Sequence, residues 1–351
     1  MNKTKKYSNN IDIIKGFSSM CILLIHCKYP GNIGSYIKAI NRFSVPYFFF
    51  VSGYYFLKND DIQLIRIFLK ILHIFKLILN SAIFYLIFTI IFNNILYSYD
   101  WNIGYYFLRI VTKGKLIKFF ISNDPFKYRH LWFLLALLYC YILLFILKII
   151  NTKIIINNLF IVLIIYLGVI GYIILGEFSG LKLIKNIYKF KSGYCILTYN
   201  LFLFRALPFL MLGLFFRINK IQINLTFKKY IFIFIIGLIL SCIEYNIVKK
   251  SLNTYISTFI QIFSLIGFSL SNKEIKNIIV SYIGRQLSLK IYIYHIAIIK
   301  IVDLIIIRLK LYYLRSFQSL IVLILTLVLC IFLETISQIL SKINKIKIIK
   351  Q

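Results

Sequence analysis

An all-α polytopic membrane bundle is the fold class this sequence predicts, and three observations predict it. The 351-residue chain is 61% hydrophobic, against roughly 45–50% for soluble domains. Its mean hydropathy is +0.86. The apolar residues gather in runs close to the ~20 residues an α-helix needs to cross a bilayer, with most basic residues between the runs.

Taken in order, the candidate spans fall near residues 11–28, 40–57, 71–95, 131–150 and 154–176, then 197–217, 229–248, 252–272, 287–307 and 318–341. These make about ten membrane helices. The first run follows Lys3, Lys5 and Lys6, as a signal peptide's core would, but no small-residue cleavage site follows His26, so it reads as a retained helix. The longest connection, 96–130, holds "YYFLRIVTKGKLIKFF", whose mixed aromatic and basic residues suit an interfacial helix or a plain loop. Arg205 interrupts a later run just before Pro208, and Glu244, Asp303 and Glu334 lie inside still later ones as possible partners. A charge at such depth is expensive unless it faces a cavity or a partner.

No internal repeat or Pro- or Ser-rich linker is visible, and nothing resembling a soluble C-terminal domain follows residue 341. The expectation is one integral membrane domain over 1–351. Lys and Arg divide almost evenly between the two sets of loops, so the positive-inside rule barely orients the chain. The terminal clusters, Lys3, Lys5 and Lys6 against Lys342, Lys345, Lys347 and Lys350, favour cytoplasmic termini in a multi-pass protein of the cell membrane.

Net charge is +32. In a soluble protein that excess would suggest nucleic acid, but here the basic residues flank apolar runs and suit anionic lipid headgroups, so the expected partner is the bilayer and not nucleic acid. The six cysteines form no C-x-x-C pair and no metal-like spacing, and no metal is expected.

Within the first run, "IDIIKGFSSMCILLIHCKYP", ionisable residues stand where a lipid-facing helix would avoid them. At about 100° per residue, Lys15 and His26 lie roughly 20° apart around the axis, and Asp12 about 40° from His26. One stripe therefore reads Asp12, Lys15, Ser19, Ile22, His26. Ionisable groups inside a membrane are functional candidates. The plainer reading is an interfacial ion pair at one end and a headgroup-level histidine at the other, and spacing leaves both open.

The second stretch, "FSVPYFFFVSGYYFLKNDDIQLIRIFLK", together with the first, resembles the acyltransferase-3 family of integral membrane O-acyltransferases. Members typically open the first helix with Asp-x-x-Arg and place a His eleven residues after the Arg; Asp12, Lys15 and His26 keep that spacing, with Lys for Arg. The second helix of the family is matched by Pro46, Phe48 to Phe50 and the triplet Ser52, Gly53, Tyr54, and its Arg-x-x-x-Arg pair by Arg66 and Lys70. Further matches are "RHLWFLLALL" with His130 and Trp132, "RALPFLMLGLFF" with Arg205, and "LSLKIYIYHIAII" with His295. The ordered set carries the resemblance. Two Arg-to-Lys departures keep the charge and lose the bidentate geometry.

The resemblance implies an enzyme transferring an acyl group other than an amino-acyl group, usually acetyl, from an acyl-CoA such as acetyl-CoA to a hydroxyl of a carbohydrate, glycolipid or related envelope molecule, with no bound cofactor. A hydroxyl needs a base to take its proton, and His26 is the residue in that position. Asp12 belongs to the same motif, but about 21 Å of straight helix separates it from His26, so it is expected to pair with Lys15 or another cation. Lys15, Arg66 and Lys70 are the expected cradle for the donor's phosphates, or else ordinary snorkelling cations. Ser52 and Gly53 suit either close helix packing or a substrate contact. His130 and Trp132 suit an aromatic belt or the active site, and His295 is similar. Arg205 is either an ion-pair partner or an anion contact, and His73, which matches no motif, is expected to be structural. The competing functions are a transporter or exporter, against which the lack of half-to-half symmetry counts, and an acyltransferase on a small non-sugar acceptor.

Overall fold

The computed structural model describes residues 9–57, 63–96, 128–176, 201–223, 225–248, 255–273 and 275–350, together with Lys115, residues 118–120, Asn123 and Pro125. Among the described residues the chain is helical and has no strand. The main helices are α1 (Asn9–His26), α2 (Ile33–Ile40), α3 (Ser44–Tyr54), α4 (Leu64–Leu96), α5 (Trp132–Ile150) and α6 (Asn158–Gly176). They continue as α7 (Leu207–Ile218), α8 (Phe227–Val248), α9 (Ser257–Ser269), α10 (Ile278–Tyr282), α11 (Ser288–Arg308) and α12 (Gln318–Lys350). The expected interfacial segment in 96–130 lies almost wholly outside the described residues.

Among the described residues, four stretches are long and apolar enough to cross a membrane by length and composition: Leu64–Ile95, Arg129–Ile150, Phe227–Val248 and Tyr312–Ile343. At 33 residues, α4 and α12 are each about 50 Å long, well beyond the ~30 Å hydrocarbon core. Their outer faces carry exposed Ile, Leu and Phe, such as Ile83, Ile87 and Phe332, which suits lipid contact.

Several other expected spans are divided, for local reasons. The span near 40–57 turns at residues 41–43 and continues as the 11-residue α3. Tyr47, Phe49 and Phe50 of α3 are fully buried, as expected of a helix that is apolar all round and so belongs inside the bundle. The span near 154–176 breaks at Asn157, whose Oδ1 accepts the Leu159 backbone N–H at 2.9 Å, a local bond that competes with helix continuation. The span near 197–217 begins in the described residues as a single turn, Phe202–Arg205, and restarts as α7 with Pro208 in its first turn, because proline has no N–H to bond back into the preceding turn and is tolerated where a helix starts. The span near 287–307 starts earlier than hydropathy suggests: α10 runs through a π-helical turn, Ile283–Leu287, into α11.

Glycines set the closest approaches. A Cβ on Gly284 would lie 1.8 Å from the Asp12 carbonyl oxygen, and one on Gly16 would lie 2.4 Å from that of Val280. The π turn is therefore pressed backbone to backbone against α1. Gly53 of α3 and Gly213 of α7 form a second such contact, with added Cβ atoms at 1.8 Å from the Leu210 carbonyl and 2.0 Å from that of Phe50. For Gly53 this is the packing role that small residues serve between membrane helices.

Candidate active site

The two ends of α1 carry different chemistry. Asp12, near the N-terminal end, is 3% exposed and accepts from Arg285 Nε on the π turn at 2.9 Å. Lys15 Nζ lies 3.6 Å from the same carboxylate. Sequence reasoning expected a cation for Asp12 and found Lys15, but it missed Arg285, which sits in the polar stretch "GRQ" and reads as a loop between apolar runs. The only available signal was its place just ahead of Ser288 in a matched segment. Two cations share one carboxylate, so this end of the helix keeps a surplus positive charge.

Lys70 and Arg66 are half-buried near the start of α4. Lys70 Nζ donates to the Tyr55 carbonyl at 3.3 Å and sits 4.8 Å from the Phe56 ring centroid and 5.3 Å from that of Tyr141. Much of its donor capacity is turned inward. Arg66 differs: its Nη1 is buried with no hydrogen-bond partner among the described residues.

His26 ends α1, about 21 Å along the axis from Asp12. Asp12 is therefore not at His26; it anchors the opposite end. What stands beside His26 is His295 of α11, with ring centroids 5.1 Å apart, and beyond it His130, 5.9 Å from His295. Three of the chain's four histidines thus converge from distant segments, while His73 is exposed on α4. The trio runs inward. His26 is exposed, His130 is half-buried and His295 is fully buried.

The surroundings hold these rings in place. His295 Nδ1 lies 3.0 Å from the Ile291 carbonyl, which can only accept, so Nδ1 carries the proton and Nε2 presents a lone pair. That Nε2 is buried without a hydrogen-bond partner among the described residues, as is His130 Nε2. Tyr85 packs edge-on to His130 at 4.5 Å and donates to the Ile293 carbonyl at 2.6 Å, and Tyr292 donates to the His130 carbonyl. Among the described residues no three His, Cys, Asp or Glu side chains are placed to hold a metal ion.

His26 also lines a cleft of about 550 Å³, together with Lys28, Ser35, Lys38, Arg315 and Gln318. The cleft lies at the end of the bundle away from Asp12 and Arg285. The base candidate is therefore open on one side and backed by a buried, oriented imidazole on the other.

The remaining expected site residues make contacts of their own. Trp132 stacks under Arg205, whose guanidinium carbon is 3.7 Å from the ring centroid, and Trp132 also meets Phe49. The carboxylates considered as partners for Arg205 are engaged elsewhere: Asp303 with Lys28 at 2.7 Å, Glu334 with Lys290 at 2.6 Å, and Glu244 with the Ser257 backbone N–H at 3.0 Å. Ser52 Oγ bonds back to the Phe48 carbonyl at 2.8 Å.

No curated protein and no solved structure matches the chain. A family model does, the acyltransferase domain of the acyltransferase-3 type, over residues 8–335. That match runs from just before α1 to Thr335 of α12, so it takes in His26, His130, His295 and both ionic clusters. With apolar helices long enough to cross a bilayer and nearly the whole length matched, the chain belongs to the acyltransferase-3 family of membrane acyltransferases.

Proposed function

We propose that this protein transfers an acyl group, acetyl in the first instance, from acyl-CoA to a hydroxyl of a cell-surface carbohydrate or related envelope molecule, with His26 as general base. One observation carries the proposal: His26 is open to a cleft while His295, its Nδ1 tied to Ile291, stands 5.1 Å behind it. The hydroxyl oxygen attacks the thioester carbonyl carbon as the imidazole takes the hydroxyl proton. The new C–O bond forms, the C–S bond breaks, and the imidazolium returns the proton to the departing thiolate.

The donor's phosphates need fixed positive charge, and the cations at the opposite end of the bundle, Arg66 first and then Lys15 and Lys70, supply it. The acyl-CoA then approaches from the Asp12 end and the acceptor from the cleft. This arrangement is consistent with a multi-pass protein of the cell membrane with cytoplasmic termini and about ten crossings, in which the short α3 and α7 count as interior segments. Reporter fusions at the two ends test the orientation.

The function is tested in membranes holding the full chain, given acetyl-CoA labelled in the acetyl group and an envelope glycan fraction. His26→Ala should lose label transfer by about 10²–10⁴-fold, the usual contribution of a positioned base, while the protein accumulates normally. Near-normal turnover in that variant overturns the assignment of the base.

A further inference from the structure

The cleft beside His26 has an unbalanced electrostatic lining. Among the described residues, Lys28, Lys38 and Arg315 line it, and no Asp or Glu does. Lys28 has a dedicated counter-ion in Asp303, 2.7 Å away, which also accepts from Gln318 Nε2 at 2.6 Å. Among the described residues neither Lys38 nor Arg315 has a carboxylate within ion-pair distance. The described carboxylates are all committed, Asp12 to Arg285, Glu244 to Ser257, Asp303 to Lys28 and Glu334 to Lys290.

Lys38 is half-buried and has no counter-ion among the described residues, so an incoming anion would offset the solvation that its ammonium loses there. Clefts lined by one sign of charge also concentrate ligands of the other sign. A neutral sugar gains nothing from this arrangement. Gln318, buried on the cleft wall, keeps its Oε1 without a hydrogen-bond partner among the described residues, which suits a hydroxyl donor on the same ligand.

Resting on the reading of His26 as the base, we propose that the acceptor is an anionic carbohydrate, whose phosphate or carboxylate is held by Lys38 and Arg315 while its hydroxyl is presented to His26. The two cations stand beside the base and not behind it, so they act on acceptor binding and orientation. Anionic lipid headgroups offer the same charge, and the test separates the two.

Cells carrying the full chain, and matched cells carrying His26→Ala, are fed labelled acetate, and ester-linked label on envelope material is passed over an anion exchanger. The expected result is His26-dependent label in the retained fraction. His26-dependent label in the neutral flow-through overturns the anionic acceptor and leaves the acyltransfer reading standing; no His26-dependent label in either fraction sinks both.

The purified full-length protein is then placed in phosphatidylcholine vesicles with and without phosphatidylglycerol, using the retained material as acceptor. The double variant Lys38→Gln, Arg315→Gln should raise the acceptor KM at least tenfold in both vesicles with an unchanged KM for acetyl-CoA. The charge-keeping double variant Lys38→Arg, Arg315→Lys should restore it. A defect confined to vesicles with phosphatidylglycerol assigns the cations to lipid headgroups and overturns the proposal, as does an unchanged acceptor KM.

Discussion

His295 places its ring 5.1 Å from that of His26, and it is the more deeply buried of the two. Its Nδ1 is committed to the Ile291 carbonyl and its Nε2 has no hydrogen-bond partner among the described residues, so the ring is fixed in orientation beside His26, the base in the proposed function. In the proposed function His295 would be a positioning residue, and that role can be tested. Replacing it with Phe keeps a buried ring among Tyr292 and His130 and removes both nitrogens. The expected result is a kcat lower by about tenfold or more, less than the ~10²–10⁴ a general base itself contributes, with an unchanged KM for acyl-CoA. The pH profile of kcat/KM should also move, because it reports the ionisation of the free enzyme's base. A ring that merely fills space would leave that profile where it is.

The Asp12–Arg285 pair predicts a stability effect distinct from activity at His26. Asp12→Ala strands two cations against a buried site. Breaking a fully buried pair costs about 3–5 kcal/mol, and since the Arg285 side chain is 46% exposed the cost here is nearer about 1–3 kcal/mol. Thermal unfolding in detergent should show the loss. The exchange Asp12→Arg with Arg285→Asp should recover part of it, whereas independent roles for the two residues would make their costs add.

How much of this was legible in the sequence depends on the range of the forces involved. The polar stripe Asp12, Lys15, Ser19, Ile22, His26 could be read because 3.6-residue periodicity is local, and in the structure Asp12, Ser19 and Ile22 are buried, as a stripe turned toward protein would be. The convergence of His26, His130 and His295 could not, since three distant segments meet there through packing alone. Arg285 was hidden because hydropathy treats a polar triplet as the end of a span, and only the backbone contact through Gly284 and Gly16 shows that the helix continues past it. The breaks at Asn157 and Pro208 carried ordinary capping and proline signals, but continuous apolar runs outweighed them in a span-length reading.

Close packing at Gly284 makes a sharp prediction. A methyl group there would sit 1.8 Å from the Asp12 carbonyl oxygen, a backbone atom that cannot turn aside, so α1 and the π turn must separate. Gly284→Ala should sharply reduce accumulation in the membrane and disturb the Asp12–Arg285 pair with it. Gly34→Ala is the control: its nearest neighbours, Tyr29 Cβ and Cδ2 at 3.3 Å, would have to give by only a few tenths of an ångström. Equal accumulation of the two variants would show that the contact between α1 and the π turn can open without loss of the fold.

Arg66 and Lys70 are one turn apart on α4, yet the structure gives them different prospects as donor contacts. Lys70 already donates to the Tyr55 carbonyl and rests against Phe56 and Tyr141, so its removal takes away packing as well as charge. Arg66 keeps a buried Nη1 with no hydrogen-bond partner among the described residues, and its planar fork is the better match to phosphate. Arg66→Ala should therefore raise the KM for acyl-CoA about tenfold, roughly the 1.4 kcal/mol expected of a lost charge-assisted contact, with kcat little changed, because such binding is shared by ground and transition states. Lys70→Ala should instead lower thermal stability and change that KM by less. Steady-state kinetics on both variants, each normalised to folded protein, decides the point: a larger KM effect at Lys70 than at Arg66 would reverse the assignment and make the inward-turned ammonium the donor contact.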